Sequence, residues 1–132
     1  MIVLDSSVIV ALAHGEPEAA RFSSLISDDG AANVSAANYL EASNVLEGRH
    51  GAPGRMMFEA VIGQLQRAGL ATVAFDRQQA ELAREGFRRY GKGRHPAGLN
   101  LGDCFAYALA KALDAPLLFK GGDFAKTDVA CA

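Results

Sequence analysis

Short β-branched runs alternate with longer helix-like segments along this chain, and this alternation restricts its fold more than any other feature. Strands are predicted at residues 2–5, 31–35, 70–75 and 116–119, in the segments IVLD, AANVS, LATVAF and PLLF. No short hairpin turn joins any two of these runs. The sequence therefore predicts a parallel sheet with helices on both of its faces.

Capping residues, glycines and prolines set the bounds of the helices that fill the intervals between strands. Ser6 or Ser7 would cap the first helix, Pro17 would lie in the first turn of the second, and Ser35 would cap the third. Six helices are predicted, at about 6–15, 16–30, 35–47, 53–68, 77–90 and 101–113. The active crevice of such a sheet is expected beyond the carboxyl ends of its strands.

Composition favours an ordinary globular chain. Its 132 residues suit one domain spanning 1–132, and half of them are hydrophobic. Two cysteines outside any CxxC pattern and the lack of a 20-residue apolar run predict reduced thiols, no membrane span and a cytoplasmic location. A net charge of −2 argues against a generic nucleic-acid coat but not against an enzyme with one local basic strip.

Asp5 is the first of four acidic residues in unusual places. It lies between the apolar runs IVL and VIV, where burying a carboxylate is costly unless it has a partner. One interpretation is that Asp5 caps the following helix, although Ser6 or Ser7 could do so equally well. The other is that it holds a cation.

Glu41 and Asp103 lie on predicted helices. At helical spacing, Glu41 shares a mostly apolar face with Ala37, Leu40, Asn44 and Val45, although it could also be a surface residue. Asp103 falls in the first turn of an apolar helix that Asn100 would cap, and a carboxylate is stabilised there by the positive end of the helix dipole. Such a helix start can also face a crevice.

Asp123 completes the set, just after the last strand in the segment KGGDF. Gly-Gly-Asp is also a common turn composition, so this acid alone is weak evidence. Together, four carboxylates in one crevice would repel each other, and a bound Mg²⁺ or Mn²⁺ would relieve that repulsion. The set contains no His or Cys, which disfavours zinc. The pattern predicts a metal-dependent phosphodiesterase or phosphatase.

The chain resembles the PIN-domain ribonucleases, and specifically the VapC-type toxins of bacterial toxin–antitoxin pairs. The resemblance spans nearly the whole chain and rests on the segments MIVLDSSVIVAL, SAANYLEASNVLE, YGKGRHPAGLNLGDCFAYALAKA and PLLFKGGDF with the following TD. It implies a three-layer α/β/α sandwich with a mainly parallel sheet. It also implies Mg²⁺- or Mn²⁺-dependent endoribonuclease activity that leaves a 5′-phosphate and a 3′-hydroxyl.

The resemblance assigns roles to the acids. Asp5 and Asp103 match the positions that bind metal directly, and Glu41 matches the acid that positions metal or the attacking water. Asp123 matches a fourth catalytic acid, although similar toxins often have two adjacent acids where this chain has Gly122 and Asp123. If Gly122 replaces the working acid, a second metal site would be weak or absent.

Basic residues cluster between residues 84 and 94. Glu81 and Glu85 could pair with the arginines of the helix, whereas Lys92 and Arg94 lie in the loop without such partners and are expected to contact RNA. Tyr90 could stack a base, but its helical register with Phe87 favours a place in the core.

The resemblance also implies partners. It predicts a homodimer and a groove, formed near the apolar N-terminal helices and Met56 and Met57, that receives a helical segment of a VapB-type antitoxin. An antitoxin arginine would reach the acids. The alternative is a catalytically weak or inactive PIN-like module that only binds antitoxin or RNA.

Overall fold

The computed structural model describes residues 1–132 and contains one sheet of four parallel strands. They are β1 (Ile2–Leu4), β2 (Ala32–Ser35), β3 (Ala71–Val73) and β4 (Leu117–Leu118), in the order β3-β2-β1-β4. β1 pairs with β2 from Ile2 opposite Ala32, and with β4 from Val3 opposite Leu117. The predicted parallel sheet is confirmed.

Six α-helices connect the strands in pairs. They are α1 (Ser6–His14), α2 (Ala19–Asp29), α3 (Ala36–His50), α4 (Ala52–Arg67), α5 (Arg77–Tyr90) and α6 (Leu101–Leu113), followed by a short 3₁₀ turn at Phe124–Lys126. None of them combines the length and apolar character needed to cross a membrane. Both cysteines are free thiols, as predicted.

Alternate residues of the strands pack against two separate cores. Ile2 and Leu4 point into a core formed with α1 to α4, whereas Val3 and Leu117 point into a second core formed with α5 and α6. Tyr90 is buried in the second core, as predicted. The sheet therefore lies between two helical layers, which confirms the α/β/α sandwich.

Several boundaries differ from the predictions for local reasons. α2 begins at Ala19, so Pro17 precedes the helix instead of lying in its first turn. α3 continues to His50, and only Gly51 separates it from α4, because glycine at φ +65° permits the abrupt turn. The strands β3 and β4 are each shorter than the predicted runs.

The order of the strands places one point of the sheet at a topological switch. The chain runs from β1 to β2 and β3 in one direction and then returns to pair β4 on the other side of β1. The helices that follow β1 and those that precede β4 therefore lie on opposite faces of the sheet, and a crevice opens beyond the carboxyl ends of these two strands. Asp5 is the first residue after β1 and lies at this switch point.

Candidate active site

Asp5 is 5% exposed and uses its two carboxylate oxygens differently. Oδ2 accepts a hydrogen bond from the backbone N–H of Ser7 at 3.0 Å and so caps α1. This corrects the prediction that Ser6 or Ser7 is the cap: the strand delivers Asp5 to the N-cap position in extended backbone. Oδ1 is buried and has no hydrogen-bond partner in the protein. The capping and cation-binding interpretations are therefore compatible, one for each oxygen.

The environment of Asp5 disfavours its charge. The pKa of its carboxyl is raised to about 6, mainly by burial and also by the negative charges of Asp103 and Glu41, while the hydrogen bonds from Ser7 oppose the change. The three acids lie close together, because Glu41 bonds Ser6, the residue after Asp5, and rests against Gly102, the residue before Asp103. A cation beside Oδ1 would remove this penalty.

Glu41 is half-buried on α3 and is held by neighbours on three elements. Its Oε1 accepts hydrogen bonds from the hydroxyl of Ser6 and from Nδ2 of Asn38, the latter at 3.2 Å. Its other oxygen, Oε2, lies against the backbone of Gly102 in the first turn of α6. The carboxylate is therefore fixed between the start of α1 and the start of α6.

Asp103 takes part in a reciprocal cap of α6, in which the predicted Asn100 cap is confirmed and the bond from Asn100 back to Asp103 is an addition. Its Oδ2 accepts from the backbone N–H of Asn100 at 3.0 Å, and the side chain of Asn100 accepts from the backbone N–H of Asp103 at 2.9 Å. Burial raises the pKa of Asp103, as do the charges of Glu41 and Asp123, against the Asn100 bond. Oδ1 of Asp103 makes no hydrogen bond.

Asp123 lies on the exposed rim of the site. Its charge acts on Asp103, but its side chain makes no capping bond to the 3₁₀ turn that it precedes. The turn is anchored from the other side, because the backbone N–H of Lys120 donates to Oγ of Ser7 at 3.0 Å and Nζ of Lys120 pairs with Glu16 at 2.8 Å. The structure thus brings all four predicted acids to one end of the sheet.

The basic residues between 84 and 94 form two groups, as predicted: the arginines of α5 are in ion pairs, and the cations of the following loop are not. One pairing differs from the prediction. Arg84 pairs with Glu81 at 2.9 Å and Arg88 pairs with Glu85, whereas Arg89 pairs with Asp128 of the C-terminal segment instead of a glutamate on its own helix. Lys92 and Arg94 are exposed and form no ion pair, and the guanidinium of Arg94 lies 5.2 Å from the ring centroid of Phe87.

The face of α3 around Glu41 lines a groove instead of packing fully inward. Leu40 is 59% exposed, and Leu101 on α6, across the groove, is 73% exposed. A second groove of about 510 Å³ continues from Leu101 and Phe105 between α5 and α6 and has Arg94 on its wall. An apolar surface with a basic wall therefore adjoins the acids.

A third groove, of about 300 Å³, lies between α1, α2 and α4. Small and apolar side chains line most of it, including Leu12, Ala19, Ala20, Val61 and Leu65. The apolar residues Phe22 and Ile26 of the same region are core, and Met56 is 67% exposed.

The sequence interpretation missed Asn38 and Gly102. Asn38 is fully buried and bonds Glu41 from one helical turn earlier, and Gly102 is the residue against which Glu41 rests. A polar residue three positions before the acid was the available signal for Asn38. No comparable signal marked Gly102.

The residues present fit a hard divalent cation with two direct protein ligands. Oδ1 of Asp5 and Oδ1 of Asp103 are oxygen donors without other hydrogen bonds, in a cluster of excess negative charge. No three His, Cys, Asp or Glu side chains form a ready-made metal site. This suits Mg²⁺, which commonly uses one or two carboxylates and takes its remaining ligands from water and phosphate.

Comparisons with known proteins point to one family. The PIN domain model matches residues 2–130 of this chain. A protein named Ribonuclease VapC from Mycolicibacterium smegmatis is 50% identical over 129 residues, covering 98% of each chain. Ribonuclease VapC30 from Mycobacterium tuberculosis (strain ATCC 25618 / H37Rv) is 47% identical over 129 residues, covering 98% of this chain and 96% of its own.

Solved structures share the fold at low sequence identity. The structure of Mycobacterium tuberculosis VapC20, described as a Sarcin-Ricin loop cleaving toxin, aligns with a TM-score of 0.78 and 16% identity, covering 100% of this chain and 98% of its own. A toxin–antitoxin complex from Klebsiella pneumoniae aligns with a TM-score of 0.73 and 16% identity, covering 100% and 97%.

Replacing Asp5 by Asn should stabilise the metal-free protein at neutral pH. The raised pKa means that folding favours the protonated carboxyl, so stability from this group is present below about pH 4 and is lost as the pH rises through about 6. Asn also caps α1 and carries no charge, so Asp5→Asn should gain up to roughly 3 kcal/mol at pH 7.5 and little at pH 4. Urea unfolding in EDTA at both pH values measures this.

Asp128→Asn is the control of opposite sign. Partial burial raises the pKa of Asp128, but hydrogen bonds from Lys111 and Tyr107 outweigh this and lower it. The charged form of Asp128 therefore stabilises the fold, and Asp128→Asn should lose stability at pH 7.5. Equal or lower stability of Asp5→Asn at pH 7.5 would contradict the electrostatic account of the site.

Proposed function

The chain belongs to the PIN-domain family, and within it to the VapC ribonucleases, and from this premise we propose that it is an endoribonuclease toxin that uses carboxylate-bound divalent cations. One observation carries the proposal: the buried Oδ1 of Asp5 has no partner beside two further carboxylates. Such an atom is costly unless a ligand completes it. A cation that also contacts an RNA phosphate would be that ligand.

Each acid has a proposed role. Asp5 and Asp103 would bind Mg²⁺ or Mn²⁺ through their open Oδ1 oxygens, and Glu41 would orient the attacking water or the metal from its fixed position on α3. The bound cation would lower the pKa of that water and neutralise the charge that develops on the phosphate. We propose Asp123 as the fourth acid, acting from the rim.

RNA would reach the acids along the basic wall. Lys92 and Arg94 are the cations of the strip that are not used in ion pairs, so they remain available to phosphates. Arg84 and Arg88 each pair with a glutamate on the same helix. We place this activity in the cytoplasm, where the RNA substrates of a bacterial toxin occur.

We propose that a VapB-type antitoxin binds in the groove between α1, α2 and α4. Ala19 and Ala20 leave room for the side chains of an incoming helix, while Leu12, Val61 and Leu65 supply the apolar surface that such a helix would bury. The continuation of the antitoxin could place a basic side chain among the acids, where excess negative charge favours it.

The predicted homodimer stays a prediction. Leu40 and Leu101 are large apolar side chains that remain mostly exposed beside the site, and Phe87 is 39% exposed on the adjoining groove. A second copy that covered this face would bury them and bring two acid clusters to a common surface.

Gly122 supports the alternative of a catalytically weak module. Its position is open, because a Cβ there would meet no atom within 4 Å, and the chain places no second acid at it. With Asp123 alone on the rim, binding of a second cation would depend on solvent-exposed charge.

Loss of either proposed metal ligand should abolish RNA cleavage. We expect Asp5→Asn and Asp103→Asn to reduce Mg²⁺-dependent cleavage by on the order of 100-fold or more, and EDTA to do the same to the unaltered protein. Sequencing of 5′-phosphate ends from total cellular RNA, incubated with each protein, measures the activity and locates the cleavage site.

Asp114→Asn is the matched control for these two variants. Asp114 ends α6 at φ 48°, a conformation that Asn tolerates well, so this variant should keep full activity. Cleavage that persists in EDTA, or full activity of Asp5→Asn, would refute the mechanism. Tight antitoxin binding without cleavage of any RNA would favour the inactive module.

Adding an acid at position 122 should strengthen the binding of the metal ion. The position has neither a steric obstacle nor a positive φ, so Gly122→Asp should fold normally and lower the Mg²⁺ concentration for half-maximal cleavage about three- to tenfold. Ala125→Asp adds the same charge on the exposed 3₁₀ turn and should change it little. Equal effects of the two variants would indicate a general charge effect.

Filling the α1–α2–α4 groove should weaken antitoxin binding. Ala20 is exposed in this groove, so Ala20→Arg should raise the Kd for the cognate antitoxin about tenfold or more. Ser24→Arg adds the same side chain on the exposed surface of α2 outside the groove and should leave Kd unchanged. Calorimetric titration measures both, and equal Kd values for the two variants would exclude this groove.

A further inference from the structure

Asn38 is fully buried, and only one end of its side-chain amide is hydrogen-bonded. Its Nδ2 donates to the backbone carbonyl of Gly102 at 2.9 Å and to Oε1 of Glu41 at 3.2 Å. Its Oδ1 is buried without any hydrogen-bond partner. An orphaned buried acceptor is destabilising, and an apolar side chain of similar size would avoid it.

The two acceptors of Asn38 belong to different parts of the acid cluster. Glu41 is on α3, whereas Gly102 directly precedes Asp103 on α6. Because both N–H groups of the amide are engaged, its plane is fixed, and it sets the distance between the Glu41 carboxylate and the first turn of α6. The unpartnered Oδ1 is a consequence of this orientation.

Gly102 completes the same arrangement. A Cβ at this position would overlap Oε2 of Glu41, so only glycine allows the carboxylate to rest on the backbone beside Asp103. Ser6, which follows Asp5, holds Oε1 from the opposite side. The carboxylate of Glu41 is thus fixed relative to both proposed metal ligands.

We propose that Asn38 and Gly102 are positioning residues that hold Glu41 at the separation from Asp5 and Asp103 that cation binding and cleavage require. This inference rests on the proposed function of the acid cluster. Neither residue touches the reacting groups, and each acts through Glu41.

The test compares two buried amides of the same chain. Gln79 resembles Asn38, because it is 5% exposed, donates Nε2 to the carbonyl of Ala74 at 2.9 Å and leaves its Oε1 without a partner, but it bonds none of the acids. Asn38→Asp and Gln79→Glu both replace the donor by a carboxylate oxygen. Both should therefore lower the melting temperature.

Only Asn38→Asp should affect the metal site. We expect it to weaken Mn²⁺ binding about tenfold, measured by calorimetry without RNA, and to lower Mg²⁺-dependent cleavage about 10- to 100-fold at 25 °C. Gln79→Glu should leave both values within about twofold. Equal effects on metal binding and cleavage in the two variants would overturn the proposal.

Gly102→Ala tests the positioning of Glu41 without introducing a buried charge. It should displace Glu41 and weaken Mn²⁺ binding while leaving the melting temperature nearly unchanged, because alanine favours the helix. In a Glu41→Gln background, Asn38→Asp should weaken Mn²⁺ binding no further, and an additional loss would overturn the proposal. Absence of cleavage by the unaltered protein would refute the nuclease function, whereas the Mn²⁺ measurements would still decide the role of Asn38.

Discussion

The placement of one buried carboxylate governs the rest of this structure. Asp5 follows the central strand at the point where the order of the sheet reverses, and its two oxygens have separate uses. One oxygen caps α1, which restricts the orientation of the side chain, and the other has no partner in the crevice. A capping interaction worth about 1 kcal/mol thus opposes the cost of a charged, buried group and keeps it aimed at the site.

The remaining acids are held by backbone and neutral groups, without counter-charges. Asp103 is tied by a reciprocal cap and Glu41 by a hydroxyl, an amide and a glycine backbone. Several lysine and arginine side chains form ion pairs outside the acid cluster: Lys120 pairs with Glu16, and Arg89 and Lys111 pair with Asp128. An arginine or lysine among the acids would stabilise the fold but would occupy the place of a metal. The cluster therefore keeps a negative charge that an external cation can satisfy.

The sequence was sufficient where local rules dominate. Apolar periodicity predicted α5 residue for residue, periodicity with the Asn100 cap predicted α6, and the strand ends predicted that the acids would meet. It was insufficient where contacts span the chain. The cap of α1 was left open between Asp5 and a serine, because the sequence cannot show that the backbone at Asp5 is extended. Asn38 and Gly102 were missed because their roles depend on packing between α3 and α6, 64 residues apart.

Metal and antitoxin would act on the same electrostatic penalty. Burial and mutual repulsion disfavour the charged acids at neutral pH, so any ligand that places positive charge among Asp5, Glu41 and Asp103 should stabilise the fold through that contact. A divalent cation and a basic side chain of an antitoxin would occupy the same space among the acids, so they would exclude each other. Inhibition would then follow from the electrostatics of the site itself, without any change in the conformation of the toxin.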